Sequence, residues 1–148
     1  IAGGIRNGVD AAKAMALGAD AIYIGTAALM ALNCNKPLFV EDYHALGTEP
    51  YHCHHCHTGQ CPVGITTQDP DLMKRLDIEE GAERVANLLQ AMTSEIQILA
   101  RACGKADVHD LEPEDLRALN AEASMICGIP LAGTDRIWGG GPGWKDRD

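Results

Sequence analysis

The chain has 148 residues, enough for one modest domain with a hydrophobic core. Its formal net charge of −9 argues against a nucleic-acid-binding surface, because phosphate binding depends on clustered Lys and Arg. No apolar run approaches the roughly eighteen residues of a membrane helix, and no signal peptide is recognisable, so we expect a cytoplasmic protein with no membrane partner. Since the chain begins without Met inside a glycine-rich motif, we also expect a fragment of a longer polypeptide.

A glycine-rich turn at residues 3–8 leads into an Ala-rich segment that predicts a short helix over residues 9–17. Gly18 follows at the position that favours a left-handed cap. The next apolar run, residues 21–24, shows no alternation and predicts a buried strand of a parallel sheet covered on both faces. These elements indicate an α/β fold class.

A second glycine turn, at Gly25 and Thr26, opens a second predicted helix. Glycine turns between a strand and a helix point backbone amides outward, and two in succession form a common device for holding one phosphate group. In (β/α)₈ barrels the loops after strands seven and eight do this. With Arg6 beside the first turn and Thr26 in the second, we expect the phosphate of a flavin or a sugar.

Three of the six cysteines form a Cys-x₂-Cys-x₄-Cys cluster closed by a proline, in the order Cys53, Cys56, Cys61 and Pro62. Thiolates this close in sequence can converge on one soft metal centre, and a proline after the last ligand is also seen in iron–sulfur loops. His54, His55 and His57 are good zinc ligands too. The residues therefore predict a metal site whose metal is either an iron–sulfur cluster or zinc.

Downstream, apolar residues recur at helical spacing from Val85 to Cys103, which predicts a packing helix that Gly104 ends. Met92, Cys103 and Cys127 are expected to be buried in the core. A further helix is predicted to start near Pro113 and to run towards Cys127. In the glycine-rich tail, Trp138 and Trp144 either dock on a neighbouring subunit or belong to an irregular terminus.

Read together in chain order, these segments resemble one known family. Gly-Gly-Ile-Arg-Asn-Gly-Val-Asp-Ala-Ala-Lys-Ala, Leu-Gly-Ala-Asp-Ala, Ile-Gly-Thr-Ala-Ala-Leu and Cys-His-Thr-Gly-Gln-Cys-Pro-Val-Gly-Ile-Thr-Thr-Gln-Asp-Pro are similar to the FMN-binding synthase domain of the glutamate synthase large subunit family, in its archaeal-type form. The resemblance runs from Gly3 to about Gly133. It implies the C-terminal part of a (β/α)₈ TIM barrel with an iron–sulfur loop and C-terminal helices.

The resemblance also implies how the chain is divided. Residues 1–32 would hold the last two β/α units of the FMN-binding barrel, and residues 33–76 the cysteine-rich iron–sulfur loop. Residues 77–132 would form the C-terminal helical segment, and residues 133–148 the Gly/Trp tail.

Carried over position by position, the resemblance assigns the FMN phosphate site to six residues: Gly3, Gly4, Ile5, Arg6, Gly25 and Thr26. Cys53, Cys56 and Cys61 would ligate the cluster. The familiar bacterial spacing is Cys-x₅-Cys-x₄-Cys, but Pro50 stands six positions before Cys56, so Cys53 would replace the missing ligand. Three cysteines suit a 3Fe–4S cluster, and Cys34 as a fourth ligand would permit a 4Fe–4S cluster.

The implied function is FMN- and iron–sulfur-dependent reduction of 2-iminoglutarate, formed from 2-oxoglutarate and the ammonia of glutamine, to glutamate. Implied partners are the remainder of the barrel, a glutaminase domain or subunit, and an electron donor, either ferredoxin or an NAD(P)H-dependent subunit. We expect an oligomer. No catalytic residue can be assigned.

Two alternatives stay open. The chain is also similar to the FMN-binding subunit of N-methylglutamate synthase, a methylamine–glutamate N-methyltransferase, for which methylamine replaces glutamine as the amino donor. From another class, it could be a zinc-stabilised interaction module without redox activity.

Overall fold

The structure is a computed structural model that describes residues 1–139. It divides into two units. The first contains Ile1–Tyr23 and the chain from Met92 onward, and the second contains Ile24–Ala91. Each unit has a hydrophobic cluster of its own. No helix within residues 1–139 is long and apolar enough to cross a membrane.

Helix α1 is Gly8–Ala16, in agreement with the prediction for residues 9–17. It begins at Asn7, whose side chain accepts a 2.9 Å hydrogen bond from the backbone N–H of Asp10. It ends before Gly18, which has a φ of 99° and donates its N–H to the carbonyl of Met15. The predicted left-handed cap is therefore confirmed.

The strand predicted at residues 21–24 is wrong as a regular element. Tyr23 instead forms an isolated parallel bridge with Ala2, through a 2.9 Å hydrogen bond from its N–H to the carbonyl of Ile1. A strand needs a continuous ladder with a neighbour, and here the ladder consists of this one bridge. The described residues contain helices, turns and isolated bridges but no strand, which is consistent with part of a larger domain. The α/β class and the (β/α)₈ barrel stay predictions.

The core of the first unit lies between α1 and the helix α5, Ile78–Ala102. Ala12, Met15 and Ala16 of α1 pack in one buried cluster with Ala100 and Leu111. Small alanine side chains allow the helix backbone to approach its neighbours closely. The long packing helix predicted around Val85–Cys103 is thus confirmed, and so are the burial of Met92 and the end at Gly104.

The continuous helix predicted from Pro113 towards Cys127 is wrong. Short 3₁₀ helices occupy Val108–Asp110 and Pro113–Asp115, and α6 is Ala121–Cys127. Between them the backbone is extended, because Ala118 bridges to Leu131 instead of continuing a helix. Cys103 and Cys127 are exposed rather than buried, so both core predictions are wrong as well.

The tail prediction is tested only in part. Trp138 is exposed, but its backbone N–H donates a 2.8 Å hydrogen bond to Oγ of Ser124, a residue that is fully buried in α6. Trp144 lies outside the described residues. The start of the tail is therefore attached to α6 by a buried hydroxyl.

The second unit contains α2, Thr26–Ala31, α3, Val40–Ala45, and α4, Pro70–Met73, together with the first part of α5. Most of its chain is loop. Its buried cluster consists of Tyr43, Cys61 and Val63, and Phe39, Cys53 and Ile65 pack against it. Two of the predicted metal ligands are therefore part of the core of this unit.

Candidate functional site

The first glycine turn lies on the surface before α1. Gly3 and Gly4 have φ angles of 98° and 72°, in the left-handed region that favours glycine, and a Cβ on either would meet open space. Ile5 is half-buried. Arg6 donates from its backbone N–H and from Nε to Oδ2 of Asp10, each at 3.2 Å. The hydrogen bond from the Arg6 side chain is the main cause that lowers the pKa of Asp10. The Arg6 side chain itself stays exposed.

The second glycine turn belongs to the second unit. Gly25 is the residue before α2, and Thr26 is the first residue of that helix. Both are exposed. Within the described part of the chain, no side chain caps this end of the helix, and a Cβ on Gly25 would meet nothing within 4 Å. The predicted turn and helix start are confirmed as local structure, while their role in phosphate binding stays a prediction.

The four cysteines proposed as ligands all lie in the second unit. Cys61 is buried, Cys34 and Cys53 are half-buried, and Cys56 is exposed. The pKa of the Cys34 thiol is raised, first by burial and then by the negative charge of three other thiolates, Cys56, Cys61 and Cys53. Each of these three cysteines therefore acts electrostatically on Cys34. All six cysteines of the chain are free thiols.

Asn35 connects two of the cysteine-bearing segments. Its Nδ2 lies 3.7 Å from Sγ of Cys34 and donates to it, and its Oδ1 accepts a 3.0 Å hydrogen bond from the backbone N–H of Cys53. Asn35 has a φ of 61°, a left-handed conformation that Asn tolerates better than most residues. One amide side chain thus fixes Cys53 next to Cys34.

Backbone amides surround the sulfur of Cys61. Burial opposes ionisation of this thiol, but hydrogen bonds from the backbone N–H groups of Thr66, Ile65 and Val63 outweigh it and lower the pKa of Cys61. A buried thiolate with several N–H donors is the arrangement that favours metal ligation by sulfur. The turn after Pro62 therefore favours the thiolate form of Cys61 more than burial alone would.

Two side chains around the cysteines have buried polar atoms without a hydrogen-bond partner among the described residues. They are Tyr43, through its hydroxyl, and His55, through both ring nitrogens. The hydroxyl of Thr66 instead acts on the Cys61 sulfur and helps to lower its pKa. A buried unpaired polar group costs about 1–3 kcal/mol, so native proteins keep few of them. Burial, followed by the charge of Cys53, Cys34 and Cys61, raises the pKa of Tyr43 to about 12. This concentration of unpaired polar atoms fits a site that binds a further group.

Arg75 ties the cysteine loop to α3. Its Nη1 donates to the carbonyl of Pro62 at 2.8 Å and to Oδ2 of Asp42 at 3.0 Å. Its guanidinium carbon lies 4.6 Å from the centre of the Phe39 ring. The guanidinium of Arg75 therefore holds the backbone carbonyl of the residue that follows Cys61.

Cys56 lies at the surface of this region. It lines an open cleft of about 370 Å³ together with Gly59, Ile65 and the segment 66–69. Inside the cleft wall, Thr67 is buried and donates its hydroxyl to the carbonyl of Gly59. Of the four cysteines, Cys56 is the one that solvent or a second protein reaches directly.

Within residues 1–139, no group of three or more His, Cys, Asp or Glu side chains has its donor atoms already gathered for a metal ion. The donor chemistry is nevertheless suitable, since thiolates bind both iron–sulfur clusters and zinc and the Cys61 sulfur accepts hydrogen bonds from backbone N–H groups. The ligand assignment of Cys34, Cys53, Cys56 and Cys61 stays a prediction.

Comparison with known proteins decides the family. A family model described as a conserved region in glutamate synthase matches residues 1–106. The chain belongs to the glutamate synthase family. At the level of the family this supports a glutamate synthase-type oxidoreductase, and the resemblance derived from the motifs is confirmed.

Relatives agree across most of the chain. It is 56% identical over 134 residues to the glutamate synthase large subunit-like protein of Rhizobium meliloti (strain 1021), covering 90% of this chain and 30% of that protein. It is 44% identical over 135 residues to the archaeal glutamate synthase (NADPH) of Methanocaldococcus jannaschii, covering 88% of this chain and 23% of that protein. It is 49% identical over 137 residues to the archaeal-type glutamate synthase (NADPH) of Thermotoga neapolitana, covering 90% of this chain and 24% of that protein.

The chain therefore spans less than a third of the length of these glutamate synthase relatives. No solved structure matches it.

Sequence reasoning missed three residues of the candidate site: Asn35, Tyr43 and Arg75. Each acts on the cysteines from a segment that the Cys-x₂-Cys-x₄-Cys pattern does not include. The only available signal was the position of Asn35 directly after Cys34. Tyr43 and Arg75 reach the loop through tertiary packing, which no local pattern reports.

Proposed function

We propose that this chain is the cofactor-holding C-terminal part of an FMN- and iron–sulfur-dependent oxidoreductase that reduces 2-iminoglutarate to glutamate. The observation that supports it most is the cysteine-rich part of the second unit, where Asn35 contacts both the Cys34 sulfur and the backbone of Cys53, and where Cys61 is buried. Family membership supports the glutamate synthase chemistry. When bound, FMN supplies a hydride for imine reduction and the iron–sulfur cluster supplies single electrons.

The chain's own residues would hold and shield the cluster. Cys53, Cys56 and Cys61 would bind iron through thiolates, with Cys34 as the candidate fourth ligand. The N–H groups of Ile65 and Thr66 would stabilise negative charge on the Cys61 sulfur. Exposed Cys56 would face the side from which electrons arrive, whether from ferredoxin or from an NAD(P)H-dependent subunit.

The two glycine turns would hold the phosphate of FMN. Gly3, Gly4 and Arg6 would form one half, with Ile5 between them, and Gly25 with Thr26 would form the other. The left-handed glycines support this, since a side chain there would be strained and would stand in the way of an approaching phosphate. Arg6 would exchange Asp10 for the phosphate, because its present ion pair is exposed and weak. The remainder of the barrel would complete the site.

One test measures the metal directly. The holoprotein is purified anaerobically, and iron, zinc and acid-labile sulfide are quantified before low-temperature EPR with and without dithionite. Iron with sulfide and a cluster signal is expected, and the signal distinguishes 3Fe–4S from 4Fe–4S. A protein with neither iron nor sulfide would overturn the redox proposal.

A second test addresses the flavin. Arg6→Ala is expected to reduce FMN retention in the holoprotein, while Lys13→Ala, which removes an exposed cation from α1, is expected to leave it unchanged. Equal flavin content in both variants would remove Arg6 from the phosphate site.

Zinc is the second candidate, and one observation favours it. Among residues 1–139, neither ring nitrogen of His55, the neighbour of Cys56, has a hydrogen-bond partner, and zinc would bind one of them in a mixed Cys/His site. The chain would then be a zinc-stabilised interaction module without redox activity. Stoichiometric zinc without sulfide in a colourless protein would establish this alternative.

A further inference from the structure

Tyr43 is the most deeply buried polar side chain near the cysteines. Its side chain has no exposed surface, and it shares one apolar cluster with Cys61, while Cys53 packs against that cluster. Its hydroxyl has no hydrogen-bond partner among the described residues. A phenol needs a partner when it is fully buried, because it has lost its hydrogen bonds to water.

The other two polar groups near the cysteines differ from Tyr43. His55 is only half-buried and stacks on His54, with ring centres 4.8 Å apart. The Thr66 hydroxyl acts on the Cys61 sulfur, whose pKa it helps to lower. Tyr43 is fully buried and packs in one cluster with Cys61 and Cys53, so a group held by these cysteines would be the partner of its hydroxyl.

We propose that the hydroxyl of Tyr43 donates a hydrogen bond to a sulfur atom of the bound iron–sulfur cluster and thereby raises its reduction potential. The inference rests on the proposed function. A tyrosine hydroxyl keeps its proton at neutral pH, since its unperturbed pKa is about 10, and it therefore acts as a donor. Reduction adds negative charge that spreads onto the sulfurs, so a donor stabilises the reduced cluster more than the oxidised one.

The position of Tyr43 on α3 suits this role. Tyr43 belongs to α3, which Arg75 ties through Asp42 to the carbonyl of Pro62. The helix that carries the donor is thus linked to the loop that carries Cys61. Such a link keeps a hydrogen bond to the cluster at a fixed geometry, as outer hydrogen bonds to metal ligands require.

The test is the substitution Tyr43→Phe, which removes the hydroxyl and keeps the ring in the core. The holoprotein is titrated with EPR detection of the cluster, and its midpoint potential is compared with wild type. Loss of the donor is expected to change the ratio of oxidised to reduced cluster up to tenfold at a fixed potential, a shift of about 59 mV to a more negative value. Tyr51→Phe is the matched control, since Tyr51 is exposed, and its potential is expected to equal that of wild type.

A second measurement does not depend on the potential. In D₂O, electron–nuclear double resonance of the wild-type cluster is expected to show a coupled exchangeable deuteron that Tyr43→Phe lacks. An unchanged potential with an unchanged deuteron signal would overturn the inference. So would loss of iron and sulfide from Tyr43→Phe at an unchanged melting temperature, because the hydroxyl would then serve assembly rather than tuning. Absence of iron and sulfide in wild type would instead overturn the proposed function itself.

Discussion

The backbone N–H of Gly8 donates a 2.6 Å hydrogen bond to Oε2 of Glu95, 87 positions further along the chain. Gly8 is the first residue of α1, and its amide is one of the four that a helix cannot satisfy internally. Glu95 supplies both an acceptor and a negative charge at the positive end of the helix dipole. The helix that follows the first glycine turn is therefore anchored by a carboxylate of α5.

Replacing Glu95 by Ala should lower the free energy of unfolding by about 1–3 kcal/mol, because the Gly8 amide would lose its partner in a partly buried place. Glu95→Gln keeps an acceptor and should lose only the charge contribution, about 0.3–1 kcal/mol. Urea unfolding of the protein measures both. Glu83→Ala, at an exposed position of α5, is the control and should change stability by less than about 0.5 kcal/mol. Equal losses of stability in Glu95→Ala and Glu83→Ala would show that Glu95 does not anchor α1.

Gly8→Ala should destabilise the protein by about 1–3 kcal/mol, because overpacking forces neighbouring groups apart. The new Cβ would lie 2.4 Å from the carbonyl oxygen of Met92 and 2.5 Å from Cβ of Glu95. Gly81→Ala is the matched control inside α5, where the Cβ would meet the flexible side-chain tips of Leu32 at 3.1 Å and Leu76 at 3.9 Å. It should be neutral or stabilising, since Ala favours a helix more than Gly does. Melting temperatures that fall equally in both variants would contradict the close helix contact.

Cys61→Ser should abolish retention of iron and sulfide, because serine cannot supply the buried thiolate that three backbone amides stabilise. Cys103→Ser should leave iron and sulfide at the wild-type level, since Cys103 is exposed and belongs to the other unit. Both variants are measured by iron and sulfide content per chain. Full cluster content in Cys61→Ser would sink the ligand assignment.

Arg75→Lys should weaken the protein by about 1–3 kcal/mol and reduce cluster retention, although it keeps the charge. A single ammonium group cannot bridge Asp42 and the Pro62 carbonyl while stacking on Phe39, as the planar guanidinium does. Arg101→Lys is the control, because Arg101 is exposed in the last turn of α5. The measurements are urea unfolding and iron content. Full rescue by lysine would show that charge alone is sufficient at position 75.

Asp10 should give the protein an acid-sensitive contribution to stability. Its pKa is lowered in the folded state, first by the hydrogen bond from Arg6, so the contribution is present above the unfolded value of about 3.9 and is lost as the pH falls through the lowered folded value. Asp10→Asn should therefore flatten the decline of melting temperature below about pH 4. Asp20→Asn should keep the wild-type decline. Identical acid profiles for all three proteins would exclude the ion pair as their cause.

The sequence predicted those features that depend on neighbouring residues. Gly18 marks the end of α1, and the apolar spacing after Val85 marks α5, because both features are set by local capping and periodicity. The strand at residues 21–24 depends on a partner strand, and here the pairing stops at Ala2 and Tyr23. The break between Asp115 and α6 likewise depends on the bridge from Ala118 to Leu131, which sequence periodicity does not show.

The same difference between local features and tertiary contacts applies to the candidate site. The three clustered cysteines were visible as a spacing, and Cys34 was identified as a neighbour through the resemblance. Tyr43 and Arg75 were not identified, because α3 and the segment after α4 reach the cysteines only by folding. Such supporting residues have no fixed spacing from the ligands that they orient.

The amide of Asn35 keeps an uncharged group beside the Cys34 sulfur. An aspartate at this position would replace the N–H donor by a carboxylate oxygen, and the contact with the Cys34 sulfur would change from attraction to repulsion. The acceptor for the Cys53 amide would survive, so the hydrogen bond that holds this part of the loop would be kept. One atom of Asn35 thus supports the path of the chain while the other sets the charge beside the cysteines, and a change from amide to carboxylate would separate these two roles.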